Sequence, residues 1–382
     1  MKVLHVVTGL GVGGAELQLR GLLRVLPQSV RSDVVALTNP GAVADGILAD
    51  GTAGVTHLGM RGNRDLSALP RLVKLIRRGR YDVVHTHLYR ACVYGRPAAR
   101  LAGVRGVVAT EHSLGESQIE GRPLTRGTRT LYRATERLGA GTFAVSGTVA
   151  RRLRDWGVPE GRIHLAPNGI EPDRFRFDPA VRAATRARLG LPANAYVVGG
   201  VGRLVTSKRF DVLLHAVAAA PPHAHALVAG AGPERAALGE LATALGIAGR
   251  THILSATDGP PLGVPELLAA IDLFVSPSAE ESFGLAVLEA LAAGLPVLHA
   301  ACPAVEDLPA ADAPGARLVS AGELDAAVAA EVAAGPRRLP VPPAVGQYHI
   351  ARTADLVMDL YTRVTEHRTT TTRTSTRRTV EK

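Results

Sequence analysis

The sequence contains few cysteines, few aromatic residues and no long apolar segment. Its two cysteines, Cys92 and Cys302, lie far apart without the spacing of a metal site, which favours a reducing compartment such as the cytoplasm. Proteins that bind nucleic acid interleave basic residues with stacking aromatics, whereas one Trp, six Phe and seven Tyr are spread widely here, so we expect no nucleic-acid partner. No segment approaches the roughly 20 apolar residues of a membrane-spanning helix. We therefore expect a cytoplasmic protein that is soluble or peripheral to a membrane.

The first ten residues combine a positive charge with an apolar run, as a signal peptide does. However, His5 and Thr8 interrupt the run, and Glu16 stands where a cleavage site needs a small residue. We expect a first β-strand in this segment.

Aliphatic side chains, glycine and positive charge are abundant. A hydrophobic fraction of 46% with 41 glycines is typical of aliphatic strands and helices joined by tight turns, which indicates the α/β class. The 382 residues exceed what one core usually organises, so we expect two domains of roughly 150 to 200 residues. The formal charge of +10 fits an anionic membrane surface or a phosphate-rich substrate without choosing between them.

Short apolar runs alternate with longer helical patterns along the chain. This alternation predicts parallel strands joined by helical crossovers, and hence two doubly wound sheets. The first sheet's predicted strands are 3–7, 33–37, 82–85, 107–109 and 142–145, and those of the second begin at Tyr196, Ala226, His252, Leu273 and Pro296.

Turn-forming residues at 167–172, followed by a charged stretch, mark a linker between the two sheets. The predicted segments are a first domain over 1–175, a second over 190–345, a crossover helix over 346–366 and a disordered basic tail over 367–382. The tail is predicted to be disordered because it consists almost entirely of Thr, Arg and Ser and cannot bury apolar surface.

A glycine loop follows the first predicted strand. Gly9, Gly11 and Gly14 satisfy the pattern Gly-x-Gly-x-x-Gly, which lets the backbone approach a phosphate at a helix N-terminus. The loop leaves open a NAD-binding oxidoreductase, and also a purely structural tight turn. An oxidoreductase would need an acidic residue at the end of the second strand, whereas Asp33 stands at its beginning.

Two carboxylates accompany a predicted helix over 283–293. With Ser282 as its N-cap, Glu281 lies at the helix N-terminus and Glu289 about two turns further on, roughly 10 to 12 Å along the axis. Glu289 could be a solvated helix residue, but its neighbours are nearly all apolar and an ionised group there needs a partner. The free N–H groups that would meet a diphosphate belong to Phe283, Gly284 and Leu285.

Residues 277–290 resemble the signature of glycosyltransferase family 4, in which seven residues separate two glutamates within Pro-Ser-x-x-Glu-x-Phe-Gly-Leu-x-x-x-Glu-Ala. The resemblance covers nearly the whole chain, because further family segments occur in the expected order. They are Gly13-Gly14-Ala15-Glu16, Asp82 to His87, Thr110-Glu111-His112, Val145-Ser146, Pro167 to Glu171, and Val201 to Leu204 with Lys208. The resemblance implies the GT-B fold, with two Rossmann-like domains facing each other across a cleft and a C-terminal helix that crosses back to the first domain.

The resemblance also implies a retaining enzyme that uses a nucleotide diphosphate sugar, with UDP favoured over GDP. The acceptor would be a hydroxyl of a cell-envelope glycolipid or polysaccharide precursor, or of a small natural product. Glu281 and His112 would contact the transferred sugar, Glu289 the ribose, and Arg203 with Lys208 the diphosphate. The implied catalytic residues are His112, Glu281, Arg203 and Lys208, and the implied donor-binding residues are Gly13, Gly14, Arg203, Lys208, Glu281, Ser282, Phe283, Gly284, Leu285 and Glu289.

We expect no cofactor and no divalent metal. The sequence has no Asp-x-Asp pair, and no neighbouring carboxylate completes a ligand set with His85 and His87, which are weaker candidates for the site. An inactive sugar-nucleotide binding protein is the other alternative, and the intact set of glutamates and cations disfavours it. Two segments depart from the family pattern, namely 300–306, where a Gly-rich turn is usual, and 258–263, where the base should lie.

Five arginines recur at spacings of three or four residues, and they are Arg122, Arg126, Arg129, Arg133 and Arg137. On a helix they would form one cationic face, and leucines at 124, 131 and 138 would form another. Such a helix could rest on an anionic membrane or meet a phosphorylated acceptor, and a solvated surface helix is the alternative.

Overall fold

The computed structural model describes residues 1–115, 118–120, 122–255 and 262–377, with the backbone alone at 122 and 367–377. The chain forms two compact units, each described by itself. The first contains Met1–Gly169 together with Ile350–Lys382, and the second contains Ile170–His349. The last helix therefore returns to the first unit, as the resemblance implies.

A parallel sheet of seven strands forms the centre of the first unit. Its strands are β1 (Lys2–Val7), β2 (Arg31–Ala36), β3 (Ala53–His57), β4 (Val83–His87), β5 (Gly106–Glu111), β8 (Gly141–Ala144) and β9 (Ile163–Leu165), and a short antiparallel pair, β6 (Gln118–Ile119) and β7 (Arg122–Pro123), lies outside this sheet. The order across the sheet is β3-β2-β1-β4-β5-β8-β9. Helices cover both faces, so the central strands are buried on both sides, including the polar residues of β4.

The helices of the first unit are α1 (Gly14–Val25), α2 (Gly41–Asp50), α3 (Ala68–Gly79), α4 (Tyr89–Leu101), α5 (Arg126–Glu136), α6 (Gly147–Asp155) and α15 (Ile350–Arg377). Helix α15 packs its apolar stripe, which includes Val357, Leu360 and Tyr361, against buried valines of the sheet. The sequence predicts an unstructured tail from residue 367, whereas the helix continues to Arg377. Extending a formed helix costs little because each added residue closes one further hydrogen bond.

The second unit repeats the design with six parallel strands. They are β10 (Tyr196–Val201), β11 (Ala224–Ala229), β12 (Thr251–Leu254), β13 (Leu273–Ser276), β14 (Val297–His299) and β15 (Ala316–Leu318), in the order β12-β11-β10-β13-β14-β15. The helices are α7 (Pro179–Arg188), α8 (Phe210–Ala219), α9 (Arg235–Ala244), α10 (Val264–Ala270), α11 (Leu285–Ala292), α12 (Pro303–Glu306), α13 (Leu324–Ala334) and α14 (Pro343–Gln347). The prediction of two doubly wound sheets is confirmed.

Within the two parallel sheets, the strands that the sequence did not predict are β3, β9 and β15, and each lies at a sheet edge. They are short and carry several exposed side chains, such as Leu165 and Leu318. An edge strand is covered less completely than a central one, so it need not be a continuous apolar run.

A buried ion-pair cluster joins α7 to the second sheet. The carboxylate of Asp272, only 3% exposed, accepts hydrogen bonds from Arg182 at 2.6 Å, Arg186 at 2.7 Å and the backbone N–H of Val197 at 2.8 Å. The cluster fixes the linker helix α7 on the beginning of β10 and β13. Among the helices that the structure describes, none is long and apolar enough to cross a bilayer.

Replacing Asp272 should strongly destabilise the second unit. In Asp272→Ala, two partly buried guanidinium groups lose their carboxylate and keep only backbone carbonyl partners, and the N–H of Val197 loses its side-chain acceptor. This should cost about 3 to 5 kcal/mol of unfolding free energy. The matched control is Asp211→Ala, whose exposed pair with Arg209 spans 3.7 Å and should contribute less than about 1 kcal/mol. Urea unfolding followed by circular dichroism measures both, and equal losses in the two variants would contradict the assignment.

Candidate functional site

The two-glutamate motif lies in the second unit. Glu281 belongs to the loop between β13 and α11, and Glu289 belongs to α11. Helix α11 begins at Leu285, and its N-cap is Gly284 with φ +106°. The prediction of Ser282 as the N-cap is wrong, because the left-handed residue at 284 turns the chain before the helix starts. The helical spacing used to place Glu289 therefore does not extend back to Glu281. Phe283 lies outside the helix and is buried edge-on against the ring of Tyr348, at 5.2 Å between centroids.

Residues 300–306, one of the two segments that depart from the family pattern, pack behind Gly284. A Cβ atom at position 284 would collide with Sγ of Cys302, so this close approach requires glycine in addition to the positive φ. The backbone N–H of Ala304 donates to the carbonyl of Phe283 at 2.9 Å, and the N–H of Cys302 donates to the Glu306 carboxylate at 2.6 Å. The unusual residues thus hold the loop that carries Glu281.

Lys208 and Glu281 form an ion pair between Nζ and Oε1. Lys208 ends a short 3₁₀ turn after β10, and both side chains are partly buried, at 23% and 15% exposure. Arg203 lies earlier in the same loop, with an exposed side chain. The structure therefore brings the predicted sugar-binding carboxylate to one of the two predicted diphosphate-binding cations.

Two glycines that sequence reasoning missed hold the loop of Arg203. A Cβ at Gly230 would collide with the carbonyl oxygen of Gly202, and one at Gly232, with φ +158°, would collide with the Leu204 carbonyl. Gly230 directly follows β11 and Gly232 lies two residues later. The pattern Gly-x-Gly after a predicted strand could therefore have identified both glycines from the sequence. Strands β10, β11 and β13 are neighbours, and their carboxyl ends gather these loops at one edge of the sheet.

Glu289 lies in the second turn of α11 among apolar side chains such as Leu288. Desolvation raises its pKa to about 7, and the smaller effect of the positive charge of Arg174, in the 3₁₀ turn Pro172–Phe175, acts in the opposite direction. A carboxyl that titrates near neutral pH gains most from a ligand that donates hydrogen bonds to its ionised form. This is the property expected of a ribose-binding carboxylate.

The glycine loop of the first unit leads from β1 to α1. Gly13 is the N-cap of α1, and the Glu16 carboxylate lies so close to it that a Cβ at position 13 would collide with Glu16. A negative side chain thus already occupies the helix N-terminus. Asp33 lies at the opposite end of β2, where it accepts a 2.8 Å hydrogen bond from the Tyr81 hydroxyl. Neither feature favours a dinucleotide at this loop.

His112 directly follows β5 and is 9% exposed. Burial lowers its pKa to about 4, and a smaller effect of the Asn168 side chain opposes this shift. The 167–169 loop that carries Asn168 is fixed by two hydrogen bonds, from Gly169 N–H to Gln18 at 3.1 Å and from Thr353 to the Pro167 carbonyl at 2.8 Å. His112 is therefore a neutral ring in a fixed position at the carboxyl edge of the first sheet.

His5 was missed as part of the site, although it joins His85 and His87 in a buried group. One potential ligand atom from each of these three rings lies within 4.8 Å of the others, so a third histidine, and not a carboxylate, lies beside the pair that the sequence analysis considered. Both nitrogens of His85 are already hydrogen-bonded, Nδ1 to the Tyr361 hydroxyl at 2.6 Å and Nε2 to Thr110 at 2.7 Å. Alternation along parallel strands was the signal that could have placed His5 on the same face.

The predicted basic helix is shorter than expected. Arg122 belongs to β7, and α5 begins at Arg126 after the capping box of Thr125. The predicted leucine face is not buried, since Leu131 is 47% exposed and the buried residues of α5 are Tyr132, Thr135 and Glu136.

Part of the predicted base-binding segment lies outside the described residues. These are residues 256–261, so the structure describes only Leu262 and Gly263 of the departure at 258–263.

Two family models match consecutive parts of the chain. Residues 12–174 match Glycosyltransferase Family 4, and residues 181–331 match Glycosyl transferases group 1. The D-inositol 3-phosphate glycosyltransferase of Salinispora tropica is 34% identical over 252 residues, which cover 58% of this chain and 50% of the relative. The enzyme of the same name from Thermobispora bispora is 35% identical over 260 residues, which cover 62% of this chain and 58% of the relative. The chain thus spans between half and three fifths of the length of these relatives.

Among solved structures, Anabaena HepE in complex with UDP and glucose matches with a TM-score of 0.76. The match covers 98% of this chain and 100% of HepE at 21% identity, which shows the shared GT-B fold alone. The two matched models follow each other in order and together cover both Rossmann-like units. The chain belongs to glycosyltransferase family 4.

Proposed function

We propose that this protein transfers a hexose or N-acetylhexosamine from a nucleotide diphosphate sugar to a hydroxyl group, with retention of anomeric configuration. The observation that carries the proposal is the pairing of Lys208 with Glu281 in the loop before α11, with Glu289 on that helix. A cation and two carboxylates offer partners of suitable chemistry to the diphosphate, the sugar and the ribose of a donor.

In the proposed reaction, an acceptor hydroxyl oxygen attacks the anomeric carbon while the bond from that carbon to the diphosphate breaks. The hydroxyl proton passes to the departing diphosphate oxygen, so no protein nucleophile is needed. Lys208 and Arg203 stabilise the negative charge that develops on the diphosphate. Glu281 and His112 orient the sugar by hydrogen bonds. The N–H groups of Leu285 and its neighbours at the start of α11 add partial positive charge.

UDP is the proposed nucleotide. Support comes from HepE, which shares the fold and whose structure contains UDP and glucose. We propose no cofactor and no divalent metal, because Arg203 and Lys208 supply the positive charge that a metal would otherwise bring to the diphosphate. The two cysteines are free and buried, which fits the cytoplasm as the proposed location.

The acceptor class is a hydroxyl-bearing envelope precursor, glycolipid or small molecule. The curated relatives are named for an inositol phosphate, which extends the proposed acceptors to phosphorylated polyols. The oxidoreductase alternative loses its support because Glu16 occupies the N-terminus of α1. An inactive binding protein is disfavoured by the Lys208 and Glu281 pair.

A panel of UDP-, GDP- and dTDP-sugars with NAD(H) tests the donor by thermal shift. UDP-glucose at a hundred times its Kd should raise the unfolding free energy by about 2.7 kcal/mol and the Tm by a few degrees. Lys208→Met should weaken UDP-glucose binding about tenfold to hundredfold, because a charge-assisted hydrogen bond is lost. Lys74→Met, an exposed lysine on α3, is the matched control and should bind normally. Stabilisation by NAD(H) alone would refute the proposal.

UDP-glucose binding should strengthen with pH through Glu289. The ribose hydroxyls donate to the ionised carboxylate, whereas the free carboxyl has a raised pKa of about 7, so binding below pH 7 must release a proton. The affinity measured by calorimetry should therefore rise about tenfold between pH 6 and 8. In Glu289→Gln the dependence should disappear, and in Glu240→Gln, on the exposed face of α9, it should persist. A pH-independent wild-type affinity would contradict the ribose role.

We further propose that α5 lets the first unit rest on anionic lipid. Arg126, Arg133 and Arg137 are exposed, and Leu131 is 47% exposed beside them. The single acidic residue of the helix, Glu136, is buried and pairs with Arg162 at 2.9 Å. The exposed charged groups of α5 are thus positive, which supports contact with a negative surface.

Sedimentation with vesicles of 30% phosphatidylserine tests this contact. The wild type should bind at low salt and be released as salt is added, since each arginine contributes about 1 kcal/mol. The triple variant Arg126→Gln, Arg133→Gln, Arg137→Gln should bind at least about tenfold more weakly. A control with the same loss of charge changes three exposed arginines elsewhere in the first unit, Arg64, Arg78 and Arg105, to Gln. Equal weakening in both triples would indicate net charge rather than α5.

A further inference from the structure

Three histidines form a diagonal across neighbouring strands of the first sheet. His5 lies in β1 opposite His85, His87 ends β4 opposite Val7, and His112 follows β5 two residues after Thr110, which pairs with His87. Each step moves one strand across, in the order β1, β4, β5, and two residues toward the carboxyl edge. Because side chains alternate along a strand, all three rings share one face of the sheet.

Hydrogen-bond distances join the three rings end to end. Nδ1 of His5 lies 3.1 Å from Nε2 of His87, and Nδ1 of His87 lies 3.2 Å from Nε2 of His112. The ring planes differ by only 27° and 23°. The ring centroids lie 5.4 and 5.5 Å apart, so the linking nitrogens of each pair lie between the two ring centres and the rings are not stacked face to face. Ring N–H groups and nitrogen lone pairs lie in the imidazole plane, so this end-to-end approach of nearly parallel rings meets the directional requirement of a hydrogen bond.

The proton count of this histidine chain is fixed by its burial. Burial lowers the pKa of all three rings below the ordinary value, to about 3 for His5 and about 4 for His112, so each ring carries one proton at neutral pH. Each hydrogen bond between two rings uses one proton. Two of the three protons therefore lie in these bonds, and the third lies on the outer nitrogen of His5 or of His112. The links then require that all three rings carry the proton on Nδ1, or that all three carry it on Nε2.

The ends of the histidine chain are its free positions. Among the described residues, Nε2 of His5 and Nδ1 of His112 are buried nitrogens without a partner at hydrogen-bond distance, although the Asn168 side chain interacts with the His112 ring and raises its pKa. They are the two atoms that the links leave over. Both proton arrangements satisfy the same two links, so Nδ1 of His112 can act as a donor in one arrangement and as an acceptor in the other.

We propose that His5 and His87 are positioning residues for His112, holding its Nε2 through the sheet and leaving Nδ1 as the nitrogen that meets the substrate. The contact of His112 with substrate rests on the proposed function, whereas the coupling of the three rings does not. A positioned ring reaches the sugar without the entropy loss of ordering a free one.

A metal bound by His5, His85 and His87 is the competing arrangement. It would require His85 to give up one of its hydrogen bonds to Tyr361 and Thr110. Neutral imidazoles do bind divalent metals, so the two arrangements have to be distinguished by experiment. The hydrogen-bonded chain leaves both bonds of His85 in place.

Tautomer measurement on the wild-type protein tests the coupling without any substrate. Long-range ¹H–¹⁵N spectra of protein labelled with ¹⁵N-histidine distinguish Nδ1–H from Nε2–H rings, and loss of a signal in His5→Phe, His87→Phe or His112→Asn assigns it. We expect one common neutral tautomer for His5, His87 and His112. Different tautomers in any two, a cationic His87, or a spectrum that changes on EDTA treatment together with bound metal would each overturn the proposal.

Two variants of similar polarity separate positioning from packing. The amide of an asparagine replaces Nδ1 of His87 and keeps the contact with His112, whereas the amide of a glutamine replaces Nε2 and keeps the contact with His5. UDP release from UDP-glucose should fall about tenfold to hundredfold in His87→Gln with an unchanged KM, and stay within about threefold in His87→Asn. Equal losses in the two variants would overturn the positioning role.

Tyr361→Phe serves as the control for the buried face. It removes a partner of His85 and leaves the histidine chain in place, so the Tm should fall while the UDP release rate is retained. If the wild type releases no UDP from any donor sugar, the proposed function fails. In that case the tautomers of the wild-type protein still show whether the three rings are coupled. Failure of the proposed function and failure of the histidine coupling can therefore be told apart.

Discussion

Parallel strand pairing is the constraint on which the rest of this structure depends. In a parallel sheet every strand ends at the same edge, so loops that are distant in sequence meet there. The edge of the second sheet brings Lys208, after β10, to Glu281, after β13, across 73 residues of chain. The edge of the first sheet brings the end of β4 to the residue after β5, which joins His87 to His112. Both candidate sites are thus consequences of topology, and local sequence decides only which side chains the loops present.

Desolvation determines which polar groups these sheets and helices tolerate. Asp272 and His85 are buried with complete sets of partners, and such groups stabilise or position the fold. Glu289 is different, because its apolar surroundings raise its pKa to about 7 and outweigh the opposing effect of Arg174. An ionised carboxylate in apolar surroundings lowers the stability of the fold. A ligand that donates hydrogen bonds to the carboxylate offsets this loss. Asp272 is therefore a structural acid and Glu289 a candidate binding acid, both in the second unit.

The sequence predicts the central strands, the two sheets and a last helix, because each is an apolar pattern of regular period. The return of that helix to the first unit was implied by the family resemblance. It does not predict β3, β9 and β15, whose edge positions leave their side chains partly exposed. The N-cap of α11 was misplaced because the preference for serine at caps is weaker than the contact between Gly284 and Cys302, which only the fold reveals. His5 was missed for a related reason, since its relation to His87 depends on strand order and register. The pairing of Lys208 with Glu281 likewise required the loops to be placed in three dimensions.

The two units differ in the kind of chemistry that their sites offer. The site of the second unit is charged, which suits a diphosphate, whereas the histidines of the first unit are neutral because burial lowers their pKa. A ring with a pKa of about 4 is a poor base for a hydroxyl group, since efficient proton transfer needs a base that titrates near the working pH. His112 therefore suits hydrogen bonding to a sugar better than removal of the acceptor proton. That proton needs another destination, and in the proposed reaction the departing diphosphate oxygen accepts it as negative charge develops there. The neutrality of the buried histidines is thus chemically consistent with the proposed retaining reaction.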